Sequence, residues 1–303
     1  LIHQFSLCDK GQDMAVKFFG QFMVEHGLVS SEDLLKAIYL QDKNNLKLGE
    51  MAVSMGLITP VDIQRAHNSQ MSRDMKLGDL LVEMGLLTPV LLNDVITHQK
   101  KTHLYIGEAL VQIGALTGDE LQQHLDAFKA DQAKYESNGI ELPLRTNHDA
   151  IWEMTADLTF KMVTRVLDLK FRPGKCTHLS SVIPDNFMLA AMDLSGDVSA
   201  RYLISVSEGL QKSIAKAILH EESVENEPVE VLEDTVMEFI NVVCGNVAAK
   251  ASQVNVAIDI NPPVVIHPPT DGLPIPSGHT ALSFPIHIED GDTMELILLI
   301  KNS

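Results

Sequence analysis

Lys47-Leu48-Gly49-Glu50-Met51-Ala52-Val53-Ser54-Met55-Gly56-Leu57-Ile58-Thr59-Pro60-Val61-Asp62 spells a short helix, a reversal and the start of a second helix. Apolar residues recur at helical spacing from Leu48 to Met55, and Gly56 stands where a left-handed C-terminal cap needs a residue without Cβ. Leu57-Ile58 then crosses the core. Thr59 suits an N-cap, Pro60 the first helical position and Asp62 the acid of a capping box, so the next helix starts there and runs to about Gln70.

The same grammar extends in both directions. Gly49 recurs as Gly20, Gly78 and Gly107 at an interval of 29 residues, and Gly56 recurs as Gly27, Gly85 and Gly114. Gln41, Gln70 and Gln99 close three copies, and Phe128 closes the fourth. Ser30 with Asp33 and Thr117 with Glu120 repeat the cap; Thr88-Pro89 keeps it with Leu91 in place of the acid. One hairpin of this kind cannot bury its apolar face alone, so residues 14–128 are expected to form at least six helices in four hairpins packed on one another, with no strand.

The period is lost from Lys129 to Asn147, where Ser137, Asn138, Gly139, Pro143 and Asn147 collect, and residues 129–147 read as a linker. Downstream the pattern is mixed. Asp149 to Leu167, Gly209 to His220 and Val229 to Ser252 read as helices. Phe187 to Leu194 and Arg201 to Ser207 read as strands around the turn Ser195-Gly196-Asp197. Val254 to Ile260, Ala281 to Ile288 and Met294 to Ile300 read as three more strands, with the Pro-rich segment Asn261 to Pro276 between the first two. The fold expected is therefore two domains: all-α helical-hairpin repeats over 14–128, then an α+β domain over 148–303 with long helices on an antiparallel sheet.

Composition narrows the function classes. A net charge of −18, acidic in both halves, offers no basic face for nucleic acid or an anionic membrane. Three cysteines, Cys8, Cys176 and Cys244, have no metal-type spacing, and their odd number argues against a disulfide framework and for a reducing cytoplasm. No apolar run approaches the roughly 20 residues of a membrane span, and Leu1 to Asp9 lacks a signal-peptide layout. The 12 histidines form no His-Glu-x-x-His or similar pair, so no metal or cofactor is expected in the chain itself.

The residues expected to carry chemistry lie in Asp234-Thr-Val-Met-Glu238-Phe-Ile-Asn241-Val-Val-Cys-Gly245-Asn246. Glu238 and Asn241 are three apart and share one helix face, while Val236, Phe239, Ile240 and Val243 supply apolar surface on other sides. Spacing alone favours a solvated patch on an amphipathic helix over a site. Here the chain resembles the chemotaxis phosphatases of the CheC and CheX kind, whose helix reads acid-x-x-x-Glu-x-x-Asn. Gly245-Asn246, the apolar stretch Val254 to Ile260 and Asn261-Pro262-Pro263-Val264-Val265-Ile266 follow in the order of that family, and the resemblance covers roughly residues 148–302.

The resemblance implies an activity, the hydrolysis of the aspartyl phosphate of a response-regulator receiver, with any Mg ion carried by the receiver. It also implies roles: Asn241 would orient the attacking water and Glu238 would pair with a receiver lysine. Asp149-Ala-Ile-Trp152-Glu153-Met-Thr-Ala156 has the acid and the glutamate of a second such helix but alanine in place of asparagine, so this copy is expected to be inert. Trp152 is expected to be a core anchor.

The repeats carry their own resemblance, to the N-terminal domain of type II secretion and pilus ATPases, called MshEN when it binds cyclic di-GMP. Lys47-Leu48-Gly49, Gly56 and Gln70, the spacer Met71 to Met75, then Lys76-Leu77-Gly78, Gly85 and Gln99 follow that family's tandem element. These ten residues are the candidate ligand site. The family's leading arginine stacks on and hydrogen-bonds guanine; this chain has Phe18, Lys47, Lys76 and Tyr105 there, and an ammonium cannot do both, so cyclic di-GMP is expected to bind weakly or not at all. Two function classes stay open: a receiver phosphatase with a regulatory or docking helical domain, or a non-catalytic adaptor that binds receivers, cyclic di-GMP or both. The oligomeric state is open too, a homodimer included.

Overall fold

The computed structural model describes residues 18–70, 73–133, 139–184 and 186–302. Expectations for residues 1–17, Met71, Ser72 and 134–138 lie outside the described residues.

Four short helices, α1 (Phe19–Glu25), α3 (Leu48–Ser54), α5 (Leu77–Glu83) and α7 (Ile106–Gln112), alternate with four longer ones: α2 (Ser31–Asn44), α4 (Pro60–Gln70), α6 (Pro89–Thr102) and α8 (Gly118–Gln132). No strand occurs among the described residues up to 133. The reversals have the geometry their glycines permit: Gly27, Gly56, Gly85 and Gly114 have φ of +65°, +70°, +69° and +77°. Ser30, Thr59, Thr88 and Thr117 each accept the amide of the residue three ahead, and Thr59 donates its own amide back to Asp62 at 3.1 Å. Gly56→Ala forces a Cβ into a left-handed turn, so thermal melts should show a loss of about 1 kcal/mol.

The other glycine series serves packing. A Cβ on Gly49 would lie 2.8 Å from Cδ1 of Ile63, and Gly20, Gly78 and Gly107 meet Leu34, Leu92 and Leu121 in the same way. The hairpins pair by face. Met51, Ala52 and Ile58 of one hairpin share a core with Leu80, Leu81 and Val95 of the next. Phe22 and Met23 share another with Ala109 and Leu110. The terminal glutamines tie these pairs. Gln70 Nε2 donates to the Met75 carbonyl at 2.8 Å, Gln99 Nε2 to that of Leu46 at 2.9 Å, and Gln41 Nε2 to that of Leu104 at 3.0 Å. Phe128 instead stacks edge-on against Phe19 and Phe22.

The expected linker start is corrected: α8 runs on to Gln132, which is 2% exposed and accepts a hydrogen bond from Arg172. The buried Gln132 side chain holds the last helical turn in place.

The C-terminal part is an α+β unit. Helices α9 (Asp149–Arg165), α10 (Glu208–Leu219) and α11 (Val229–Gln253) cover one face of an antiparallel sheet. Its central strands are β4 (Met188–Gly196), β5 (Ala200–Val206), β9 (His279–Ile288) and β10 (Thr293–Lys301). The edges are short: β1 (Phe171–Pro173) and β2 (Thr177–Leu179) pair with β9, and β6 (Ile258–Ile260) and β7 (Val264–Ile266) pair with β4. The order is β1-β9-β10-β5-β4-β6. Alternation divides the side chains. Met188, Ala190, Met192, Tyr202, Ile204, Leu296 and Leu298 face the helices, while Leu189, Ala191, Leu203, Ile297 and Leu299 face a small cover made by β3 (Val182–Ile183) and β8 (Leu273–Pro274).

Four strand expectations change. Val254 to Ala257 is no strand, because α11 runs to Gln253 and the chain then turns through Asn255 at φ +59°. Phe187 lies outside β4 and is 44% exposed. The Pro-rich segment holds β7 and β8, and β1 to β3 arise where no strand was read.

The two parts meet along residues 161–172, at Lys250 and at Glu289, whose carbonyl accepts from Gln21 Nε2 at 3.2 Å. Asp74 accepts from Arg165 Nη1 at 2.6 Å and from Lys250 Nζ at 2.7 Å, with Lys161 Nζ at 3.9 Å. Lys47 pairs with Asp168, and the Arg172 guanidinium lies over the rings of Phe18 and Phe128.

Candidate functional site

The α11 helix owes its length to a continuous apolar stripe. Val236, Phe239, Ile240, Val243, Cys244, Val247 and Ala251 are buried against the sheet and α9, and Leu232 is buried with Ala215 of α10 and Val224. The opposite face carries Asp234 and Glu238, both exposed, then Asn241 and Gly245, both half-buried, and Ala249, exposed. Glu238 and Asn241 therefore stand side by side at the surface. Among the described residues, no side chain pairs with either of them. Asn246 does not belong to this face: it is 5% exposed and its Nδ2 donates back to the Val242 carbonyl at 2.8 Å. Glu233 is turned aside as well, toward His267 at 3.0 Å, which ties the Pro-rich loop to α11. A carboxylate and a carboxamide on one rigid, accessible helix face can enter a partner's site and hold a water there without acting as a strong base.

The second motif is placed differently. Asp149 is occupied with the helix start, accepting from the Thr146 amide at 2.7 Å and from the Thr146 hydroxyl at 2.8 Å, and these bonds hold its carboxyl below the usual range. Glu153 is exposed, but Ala156 is fully buried, so even an asparagine there would face the core. Trp152 is 1% exposed and donates its indole N–H to the Asn147 carbonyl at 2.6 Å, as a core anchor does.

Sequence reasoning missed the carboxylate that joins the two parts. Asp74 is 20% exposed at its side chain and Arg165 15%. Burial alone would push the Asp74 carboxyl up; hydrogen bonds from Lys250 and Arg165 and the charge of Lys161 outweigh it and hold the group below its ordinary value. Arg165 and Lys250 occupy matching places, each nine residues after Ala156 and Asn241.

In the helical part, Leu48 packs within 3.2 Å of a Cβ position on Gly78, so the two candidate elements do face each other. Their residues are nonetheless engaged. Gly56 and Gly85 shape turns, Gly49 and Gly78 allow close packing, Leu48 and Leu77 pack in the core, and Gln70 and Gln99 bind backbone carbonyls. Lys47 is paired with Asp168, and Lys76 is exposed. An open cavity of about 530 Å³ lies elsewhere, lined by Asn44, Lys101, His103 and Glu108 among others. The described residues hold no group of His, Cys, Asp or Glu arranged for a metal, and no described helix is long and apolar enough to cross a membrane. Buried Cys176 and Cys244 are raised by burial, Cys176 to about 12, which leaves both inert as nucleophiles at neutral pH.

Comparison with known proteins places the candidate helix in context. The family model of the chemotaxis phosphatase CheX matches residues 188–287. Solved structures similar to the chain include the CheX–CheY–BeF3–Mg complex of Borrelia burgdorferi, at 22% identity and a TM-score of 0.44, covering 50% of this chain and 98% of that one. A CheX protein of Desulfovibrio desulfuricans matches at 16% identity and a TM-score of 0.43, covering 50% of this chain and 99% of that one. A CheC-like protein of Shewanella sp. PV-4 matches at 18% and 0.44, covering 51% and 99%. None of the curated proteins searched matches the chain. Glu238 and Asn241 fall within the matched residues, and the C-terminal part of the chain is CheX-like.

Proposed function

We propose that the chain is a signalling phosphatase that hydrolyses the aspartyl phosphate of a response-regulator receiver, with α11 as the element that enters the receiver's site. The observation that carries this reading is the accessible Glu238–Asn241 pair, unpaired among the described residues, on one face of a helix within a CheX-family match. An acyl phosphate is already activated, so acceleration needs mainly an in-line water and tolerance of charge on the transferred group. The Asn241 carboxamide orients the water. Glu238 docks against a receiver cation, and its charge-assisted bond fixes the approach. A magnesium ion taking part belongs to the receiver. The helical part acts as a regulatory or docking module.

The test is the decay of each phosphorylated receiver of the same cell, with and without the chain. At least one should lose phosphate faster. If a complete panel shows no acceleration, the non-catalytic adaptor reading takes its place.

Nucleotide binding is the secondary reading, and the engaged glutamines and the missing arginine both weigh against it. Calorimetry of the unmodified chain with cyclic di-GMP should give weak or no binding, and replacing Lys47 and Lys76 with arginine should strengthen any that is seen. Tight binding by the unmodified chain would refute this.

A further inference from the structure

The glycines of the helical repeats justify themselves through a left-handed φ or through a facing side chain that a Cβ would strike, as at Gly56 and Gly49. Gly245 does neither. It stands inside the 25-residue helix α11, away from both ends, and among the described residues a Cβ built on it would meet no heavy atom within 4 Å beyond its chain neighbours and the backbone of its own turns. Gly118 has similar open space but lies in the first turn of α8, where helix propensity matters least. In a helix interior glycine is disfavoured relative to every residue but proline. The fold therefore bears a cost at Gly245 and draws no internal benefit from it.

The position explains where the benefit lies. Gly245 is four residues after Asn241 and seven after Glu238, which puts all three on one face. The next turn on that face is exposed Ala249. Beside the polar pair, the helix thus presents only a glycine and then an alanine over its next two turns.

We infer that Gly245 is a positioning residue for the proposed reaction, the place where the receiver's backbone closes directly on α11. This inference rests on the proposed function. Glycine is the residue that lets another backbone approach closely. With Asn241 inserted into the receiver, a Cβ at 245 would hold the receiver off by about 1.5 Å. A misplacement of about 1 Å at a reacting centre costs on the order of 100-fold in rate. The partner is thus the same receiver, and the contact is with its main chain, so that any side chain at 245 weakens it.

The experiment uses the full chain with its cognate phosphorylated receiver and compares the parent with Gly245→Ala, Gly245→Leu and Asn241→Ala. Gly245→Ala should raise the melting temperature by about 2–4 °C, because alanine is the better helix former and has open space. It should also lower kcat/KM by about 100-fold, chiefly through kcat, and Gly245→Leu should lower it at least as much. A merely structural glycine would move stability the other way. A lower melting temperature for Gly245→Ala overturns the inference. So does full activity of Gly245→Leu where Asn241→Ala is inactive, an outcome that leaves the proposed function standing. A parent that neither binds nor dephosphorylates any receiver removes both.

Discussion

Asn241→Ala is expected to abolish accelerated dephosphorylation of the cognate receiver, a loss of about 100-fold or more, while receiver binding stays largely intact. The carboxamide's part is to hold a water in line with phosphorus, which matters in the transition state and little in docking. Glu238→Ala should weaken both, because its charge-assisted contact sets the docking geometry; affinity should fall about tenfold or more. Neither change should unfold the helix. Glu238 is exposed and Asn241 half-buried, neither side chain is paired among the described residues, and alanine favours helix, so stability should stay within about 0.5 kcal/mol. Glu153→Ala is the internal control. Its helix has buried Ala156 where a water-orienting amide would be needed, and activity should not change. Equal losses from Glu153→Ala and Glu238→Ala would contradict the assignment of the site to α11.

Asp74→Lys is expected to detach the helical part from the ends of α9 and α11. The substitution sets a fourth cation among Lys161, Arg165 and Lys250, all of which now converge on one carboxylate. Exposed pairs contribute little and buried ones lose several kcal/mol when broken; at 20% exposure Asp74 falls between, so the loss should be about 2 kcal/mol. Chemical denaturation of parent and variant measures it, and limited proteolysis should cut the chain between 133 and 148 more readily in the variant. The contact also has a pH signature. The folded-state carboxyl is held below its ordinary value, so its contribution is fully present above about pH 4. It is lost as pH falls through the lowered value. Asp74→Asn removes that part of the acid sensitivity. Identical acid and denaturant curves for the parent and both variants would show that the contact contributes nothing.

Helix-level features were legible because their causes are local. The capping oxygens of Ser30, Thr59, Thr88 and Thr117 and the left-handed glycines act within a few residues, and the structure has them where the pattern put them. The alternating strands β4, β5, β9 and β10 and the two-sided α11 were legible for the same reason. Glu238 and Asn241 could be set on one face by arithmetic alone, and exposure then distinguished them from Ala156. Non-local causes left no such trace. The short edge strands β1 and β2 exist because β9 offers an open edge, and β1 ends in a proline that no strand pattern favours. The repeat glutamines bond carbonyls on neighbouring hairpins, 53 residues away for Gln99. Asp74 finds its partners across 91 and 176 residues. Contacts at such separations follow from the packing of whole elements, which periodicity does not specify.

The most direct test of the central claim is single-turnover decay of the phosphorylated cognate receiver at saturating chain, run side by side with saturating Asn241→Ala. Saturation removes docking from the comparison and leaves the chemical step. The parent should give fast phosphate loss, and Asn241→Ala should leave loss at the receiver's own slow rate. Equal rates for the two, whether both fast or both slow, would contradict the claim.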